Sequence, residues 1–196
     1  MANVLQRVVL ALYIGISASC ASNATRISKL YQEFERDLAD QSDVERMSSA
    51  SGGAQQRRAA DARAIAAAGE LSTADELLKA SILLVESDDT SDLELARTLG
   101  LQAAKLGEAK GTRVAAEAFD KQLLKQGMHQ MYGTQYVRDA LTGRWHLYPC
   151  DPRTTDADRV AMGVEPMAEL VKKEAVLNAR FRKPTPYELA TRKQNP

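Results

Sequence analysis

Ser72-Thr73-Ala74-Asp75-Glu76-Leu77-Leu78-Lys79-Ala80-Ser81-Ile82-Leu83-Leu84-Val85 is the stretch whose reading decides the fold. It opens on two overlapping capping boxes, Ser72 with Asp75 and Thr73 with Glu76, in which a hydroxyl and a carboxylate satisfy the free N–H groups of a first helical turn. Ala74, Leu77, Leu78, Ile82 and Val85 then form one apolar stripe at helical spacing. Asp88-Asp89-Thr90-Ser91-Asp92 is a turn that supplies the next N-cap. Leu95, Ala96, Leu99, Ala103 and Leu106 mark a second helix, stopped near Gly107. Val114, Ala115, Ala118, Phe119 and Leu123 mark a third over residues 112–126, closed by Gly127. Links this short between helices of about fifteen residues make the neighbours antiparallel.

Working outward, Ile27, Leu30, Tyr31, Phe34 and Leu38 predict an amphipathic helix over residues 25–47. Ser48-Ser49-Ala50-Ser51-Gly52-Gly53 breaks it, and an Ala- and Arg-rich helix follows over residues 55–68, ended by Gly69. Leu99-Gly100 looks like a fragment of a tetratricopeptide repeat, but the later anchors fail and no second copy is visible. After Gly127 the composition shifts to aromatic and branched residues. Residues 131–137 and 144–148 read as the strands of a β-hairpin, with Trp145 and Leu147 on one face and His146 and Tyr148 on the other. Pro149 and Pro152 end it, residues 156–162 read as a short helix or turn, and Pro166 starts a last helix to about residue 180. Met167, Leu170, Val171 and Ala175 are its expected buried side. The expected fold is mainly α (α+β), an antiparallel bundle of five or six helices with one hairpin, in one domain over residues 24–181 followed by a loose tail, 182–196.

With 196 residues, 44% hydrophobic and 27% charged, the chain can bury one sizeable core. Lys plus Arg equals Asp plus Glu at 26 each, which removes any global attraction to nucleic acid. Residues 8–18 are uncharged and mostly apolar and follow Arg7. As a helix they reach roughly 16 Å, about half of a bilayer's hydrocarbon core, which suits a secretory signal better than a membrane span. Ser17-Ala18-Ser19-Cys20 resembles a lipobox, with Ser17 where an aliphatic residue is usual. That resemblance implies a lipid on Cys20 after loss of the signal in residues 1–20, and a partner membrane in a bacterial envelope. Ser19-Cys20-Ala21 alternatively permits ordinary cleavage and release as a soluble periplasmic protein. Either way Cys150 stands alone and no internal disulfide is expected.

The candidate site is Gly127-Met128-His129-Gln130-Met131-Tyr132-Gly133-Thr134-Gln135. Strand alternation would place Gln130, Tyr132, Thr134 and Tyr136 on one face, a row of amides and hydroxyls without fixed charge. Such a row suits a neutral polar ligand, a sugar or peptide backbone, or a partner protein of the envelope. It suits proton transfer poorly unless His129, His146, Asp120, Glu86 or Asp151 lies nearby. Equally, glutamine and tyrosine there can satisfy buried backbone groups where hairpin meets helices. His146-x-x-x-Cys150 with His129 and Asp151 holds metal-ligand types, but Pro149 interrupts the spacing, so neither a metal nor a cofactor is assigned.

The run resembles the signature of an uncharacterised bacterial domain family, Gly-x-x-Gln-x-Tyr-Gly-Thr-Gln, through Gly127, Gln130, Tyr132, Gly133, Thr134 and Gln135. The resemblance spans residues 27–171 and includes Asp40-Gln41 and Gly163-Val164. It implies a helical bundle with a site at the signature and implies no reaction. The family commonly has Gln-His where this chain has Val85-Glu86, and Asp-Arg where it has Asp120-Lys121. Ligand-binding candidates are therefore His129, Gln130, Tyr132, Thr134, Gln135 and Glu86. The alternatives are a hydrolase or transferase around His129, Tyr132 and Gln135, and a purely structural envelope protein.

Overall fold

A computed structural model describes residues 23–39 and 52–180. The expected signal segment, Cys20, Asp40-Gln41 and the tail from residue 182 lie outside the described residues. Seven helices and one two-stranded antiparallel hairpin make the fold mainly α among the described residues. The helices are α1 (residues 23–39), α2 (Gly53–Ala67), α3 (Ala74–Val85), α4 (Thr90–Lys105), α5 (Lys110–Lys125), α6 (Asp156–Ala161) and α7 (Met167–Arg180). The hairpin, β1 (Tyr136–Arg138) and β2 (Trp145–Leu147), sits between α5 and α6 in the chain. None of these helices is long and apolar enough to cross a membrane.

Of the two capping boxes at the start of α3, Thr73 with Glu76 forms. Thr73 Oγ1 accepts from the Glu76 N–H at 3.2 Å, and the Glu76 carboxylate accepts from the N–H groups of Ser72 and Thr73 at 2.9 and 3.1 Å. Asp75 instead pairs with Lys79 one turn on. Of the stripe read from the sequence, Leu77, Leu78 and Val85 are buried while Ala74 and Ile82 are half-buried. The buried three, with Leu83 and Leu84, which the stripe did not include, join Leu93, Ala96 and Leu99 of α4, Ala118 of α5 and Ile27 and Phe34 of α1 in the main core. Arg58 is buried, its guanidinium bridging to Asp37 of α1 at 2.5 Å and lying over the Phe34 ring. Where α4 meets α5, Gly100 and Gly111 bring two backbones together: a Cβ on Gly100 would sit 2.7 Å from the Gly111 carbonyl oxygen. Ser81 closes the junction by donating to the Ala96 carbonyl at 2.7 Å.

A second, smaller cluster holds Ala116 of α5, Val164 and Leu170, with Tyr132, Leu147, Met162 and Met167 packed against it. Here α7 covers the free edge of β2. Asn178 accepts from the Trp145 N–H and donates to the Trp145 carbonyl, each at 2.8 Å, and Glu174 accepts from the Leu147 N–H at 2.7 Å. Polar side chains thus stand in for a third strand. This corrects the expected buried face of the last helix. Leu170 and Leu177 are buried, Glu174 and Asn178 turn inward, and Val171 and Ala175 are exposed. The hairpin is also shorter than expected, with register Tyr136↔Leu147, Val137↔His146 and Arg138↔Trp145, because residues 131–135 leave the strand for another set of partners.

Candidate functional site

Those partners are the oxygens of Asp120, on α5 and fully buried. Oδ1 accepts from the N–H groups of Met131 and Tyr132 at 2.7 and 2.9 Å. Oδ2 accepts from those of Gly133 and Thr134, both at 3.0 Å, and from Thr134 Oγ1 at 2.9 Å. Four consecutive backbone donors converge on one carboxylate, the concave arrangement by which backbone N–H groups bind an anion. The curl requires Gly133: its φ is +91°, and a Cβ there would lie 2.5 Å from Leu170 Cδ1.

Gln130, also fully buried, fastens the same segment from its other end. Its Oε1 accepts from the Gln135 N–H at 2.9 Å, and its Nε2 donates to the carbonyls of Gln135 and Tyr148 at 3.1 and 2.8 Å. The Gln130 backbone pairs on both sides as well, N–H to the Pro149 carbonyl at 3.1 Å and carbonyl from the Asp151 N–H at 2.8 Å. Gln135 is different: its side chain is half-buried and donates to Thr134 Oγ1 at 2.9 Å. Gln130 and Thr134 therefore face inward rather than forming one open row with Tyr132.

Two open clefts lie on the outer side of the segment. The first, about 630 Å³, is lined by Met131, Tyr132, Thr154, Asp158, Ala161 and Met162 together with Asp151 and Arg153. The second, about 500 Å³, shares Met131, Asp151 and Arg153 and adds Met128 and His129. Tyr132 and His129 are thus the sequence-predicted residues that reach open space. The Tyr132 ring packs on Phe119 at 6.3 Å between centroids, and the Arg97 guanidinium lies 4.3 Å from the centroid of the Phe119 ring. Burial raises the Tyr132 phenol above its ordinary value, so it stays protonated near neutrality. Arg153 is bound to Asp151 through its backbone N–H, Nε and Nη2 and pulls the Asp151 carboxyl down to about 2. Asp158 caps α6 through Thr155, which holds its carboxyl below the usual range.

Glu86 belongs to another group of charges. It follows α3, and burial raises its carboxyl while Lys121 opposes that shift. Burial works against the Lys121 ammonium, but Glu117 and Glu86 outweigh it; Lys121 Nζ donates to the Val85 carbonyl at 2.8 Å. Glu86 and Lys121 are therefore electrostatic partners of opposite sign. His146 stands exposed on β2, its Nδ1 3.8 Å from Glu174, while the half-buried Cys150 thiol, raised by burial, points at the Tyr148 carbonyl.

The sequence named Asp120 only as a proton-transfer candidate and missed its structural part. Its place beside the small and apolar residues Ala115, Ala116, Ala118 and Phe119 was the available signal. Arg153, Asp158 and Met162 carried no signal of their own, since only the fold brings them beside Tyr132. No protein-family model, curated protein or solved structure matches this chain.

Proposed function

We propose that the chain is an exported bacterial envelope protein, lipid-anchored through Cys20, that binds a polar ligand or partner protein and carries out no reaction itself. One observation carries the reading. Asp120 and Gln130 hold residues 130–135 rigidly from the inside, and the outer side of the same segment presents Tyr132 to a cleft of about 630 Å³. A preformed concave surface with a few fixed polar groups is what ligand recognition needs. Proton transfer is less well served, because the cleft carboxylates Asp151 and Asp158 are engaged by Arg153 and Thr155. The run from Gly127 to Gln135 supports placing the chain in the uncharacterised family that it resembles.

The test is amide chemical-shift mapping with soluble cell-wall saccharides and short peptides. The expected result is saturable shifts at Tyr132, Thr154, Ala161 and Met162, abolished by Ala161→Arg, which fills the cleft from an exposed position. Shifts elsewhere, or shifts indifferent to Ala161→Arg, would remove the reading. Mass spectrometry of the native N-terminus tests the anchor: acylated Cys20 supports it, and an unmodified terminus after Ala21 contradicts it.

A further inference from the structure

Three of the four methionines among the described residues, Met128, Met131 and Met162, line the two clefts, while Met167 packs in the smaller core cluster. Met128 is 45% exposed, an uncommon position for a side chain whose usual use is to fill gaps in a core. In the second cleft Met128, His129 and Met131, drawn from one four-residue stretch, are all lining residues. Two thioethers and an imidazole are a donor set without negative charge. Hard cations such as Mg²⁺ and Ca²⁺ take carboxylate and carbonyl oxygen, whereas thioethers select Cu(I). Among the described residues no three His, Cys, Asp or Glu side chains gather for the harder ions.

We propose that Met128, His129 and Met131 form a binding site for a soft monovalent cation, Cu(I), in the cleft of about 500 Å³ that they line. The backbone is prepared for it. The Met128 N–H is bonded to the Leu123 carbonyl at 2.9 Å and the Met131 N–H to Asp120 at 2.7 Å, with Gln130 fastened between them. Both ends of a four-residue stretch are thus anchored, and the long unbranched methionine side chains supply the adjustment that coordination requires. Asp151 lines the same cleft, and its carboxylate, already held by Arg153, places a fixed negative charge in the cleft that His129 lines. The proposal goes beyond the polar-ligand reading and stands without it, since it needs neither Tyr132 nor the first cleft.

Ag(I) serves as a probe with the same donor preference and no redox chemistry. Full-length protein carrying Cys20→Ser and Cys150→Ser, which removes the two thiols that would also take Ag(I), is expected to bind one equivalent in a calorimetric titration. Met128→Leu with Met131→Leu, which keeps apolar bulk and removes both sulfurs, should weaken binding at least about 100-fold, and His129→Gln about tenfold or more. Met167→Leu added to that protein should leave binding unchanged. Unfolding curves matching wild type show that the variants remain folded; anaerobic Cu(I) competition against a chromogenic chelator should repeat the ranking. Absence of binding by the cysteine-free protein, or undiminished binding when Met128→Leu and Met131→Leu are added to it, would overturn the proposal.

Discussion

A carboxylate withdrawn from water is costly unless hydrogen bonds replace its solvation, and Asp120 receives five. Gln130 works in the same way with an amide, which both donates and accepts and so can stand in for a strand's backbone. The two glutamines of the motif should therefore behave differently. Gln130→Ala removes three buried hydrogen bonds and leaves the Gln135 N–H without its acceptor, and is expected to cost about 3 kcal/mol, whereas Gln135→Ala removes one half-buried bond and should cost about 1 kcal/mol or less. Urea unfolding of both variants checks this, and equal losses would count against the assignment. The polar run was legible in the sequence as the place to look. Which amide is buried was not, because alternation along a strand assigns faces only where a strand exists, and Asp120 draws residues 131–134 out of one.

Elements were more legible than their contacts. The capping box and stripe of α3, the glycine stops and the hairpin residues all act locally, so they read directly from spacing. The inward face of α7 was misread because Glu174 and Asn178 are polar, and only the open edge of β2 gives polar side chains a reason to turn inward. The junction of α4 and α5 is a similar case. Gly→Ala within a helix ordinarily adds about 0.5–1 kcal/mol of stability, while overpacking costs about 1–3 kcal/mol. A Cβ on Gly111 would collide with the Gly100 carbonyl oxygen. Gly111→Ala is therefore expected to lower stability by about 2 kcal/mol in denaturant unfolding; a gain would mean that the helices sit farther apart. At the start of α3, burial opposes the Glu76 charge, but the N–H groups of Ser72 and Thr73 outweigh it and hold the carboxyl below its ordinary value. The folded state then favours the ionised form. Its contribution is complete above the ordinary carboxylate range and disappears as pH falls through the depressed value. Glu76→Gln should destabilise at pH 7 and lose that effect as pH falls below the depressed value; a pH-independent difference would contradict the capping geometry.

At the scale of the whole molecule, the α1–α5 bundle has its own core, and the hairpin, α6 and α7 pack as a second layer around Leu170 and Val164. Asp120 stands on the bundle and holds the segment that leads into that second layer, so one side chain joins the two. The clefts follow from the same arrangement, since Met128, His129, Met131 and Tyr132 line them together with residues 151–154. The bundle was readable from periodicity, whereas the clefts depend on long-range packing that no local pattern encodes. Asp120→Asn is the most direct test, because it preserves size and replaces an acceptor oxygen with an N–H₂ that faces backbone donors. Equilibrium unfolding should show a loss of about 3 kcal/mol or more, with hydrogen exchange at Met131 to Thr134 accelerated beyond that of the α3 and α4 amides. A variant as stable as wild type, with those four amides still protected, would contradict the claim that this carboxylate holds the site together.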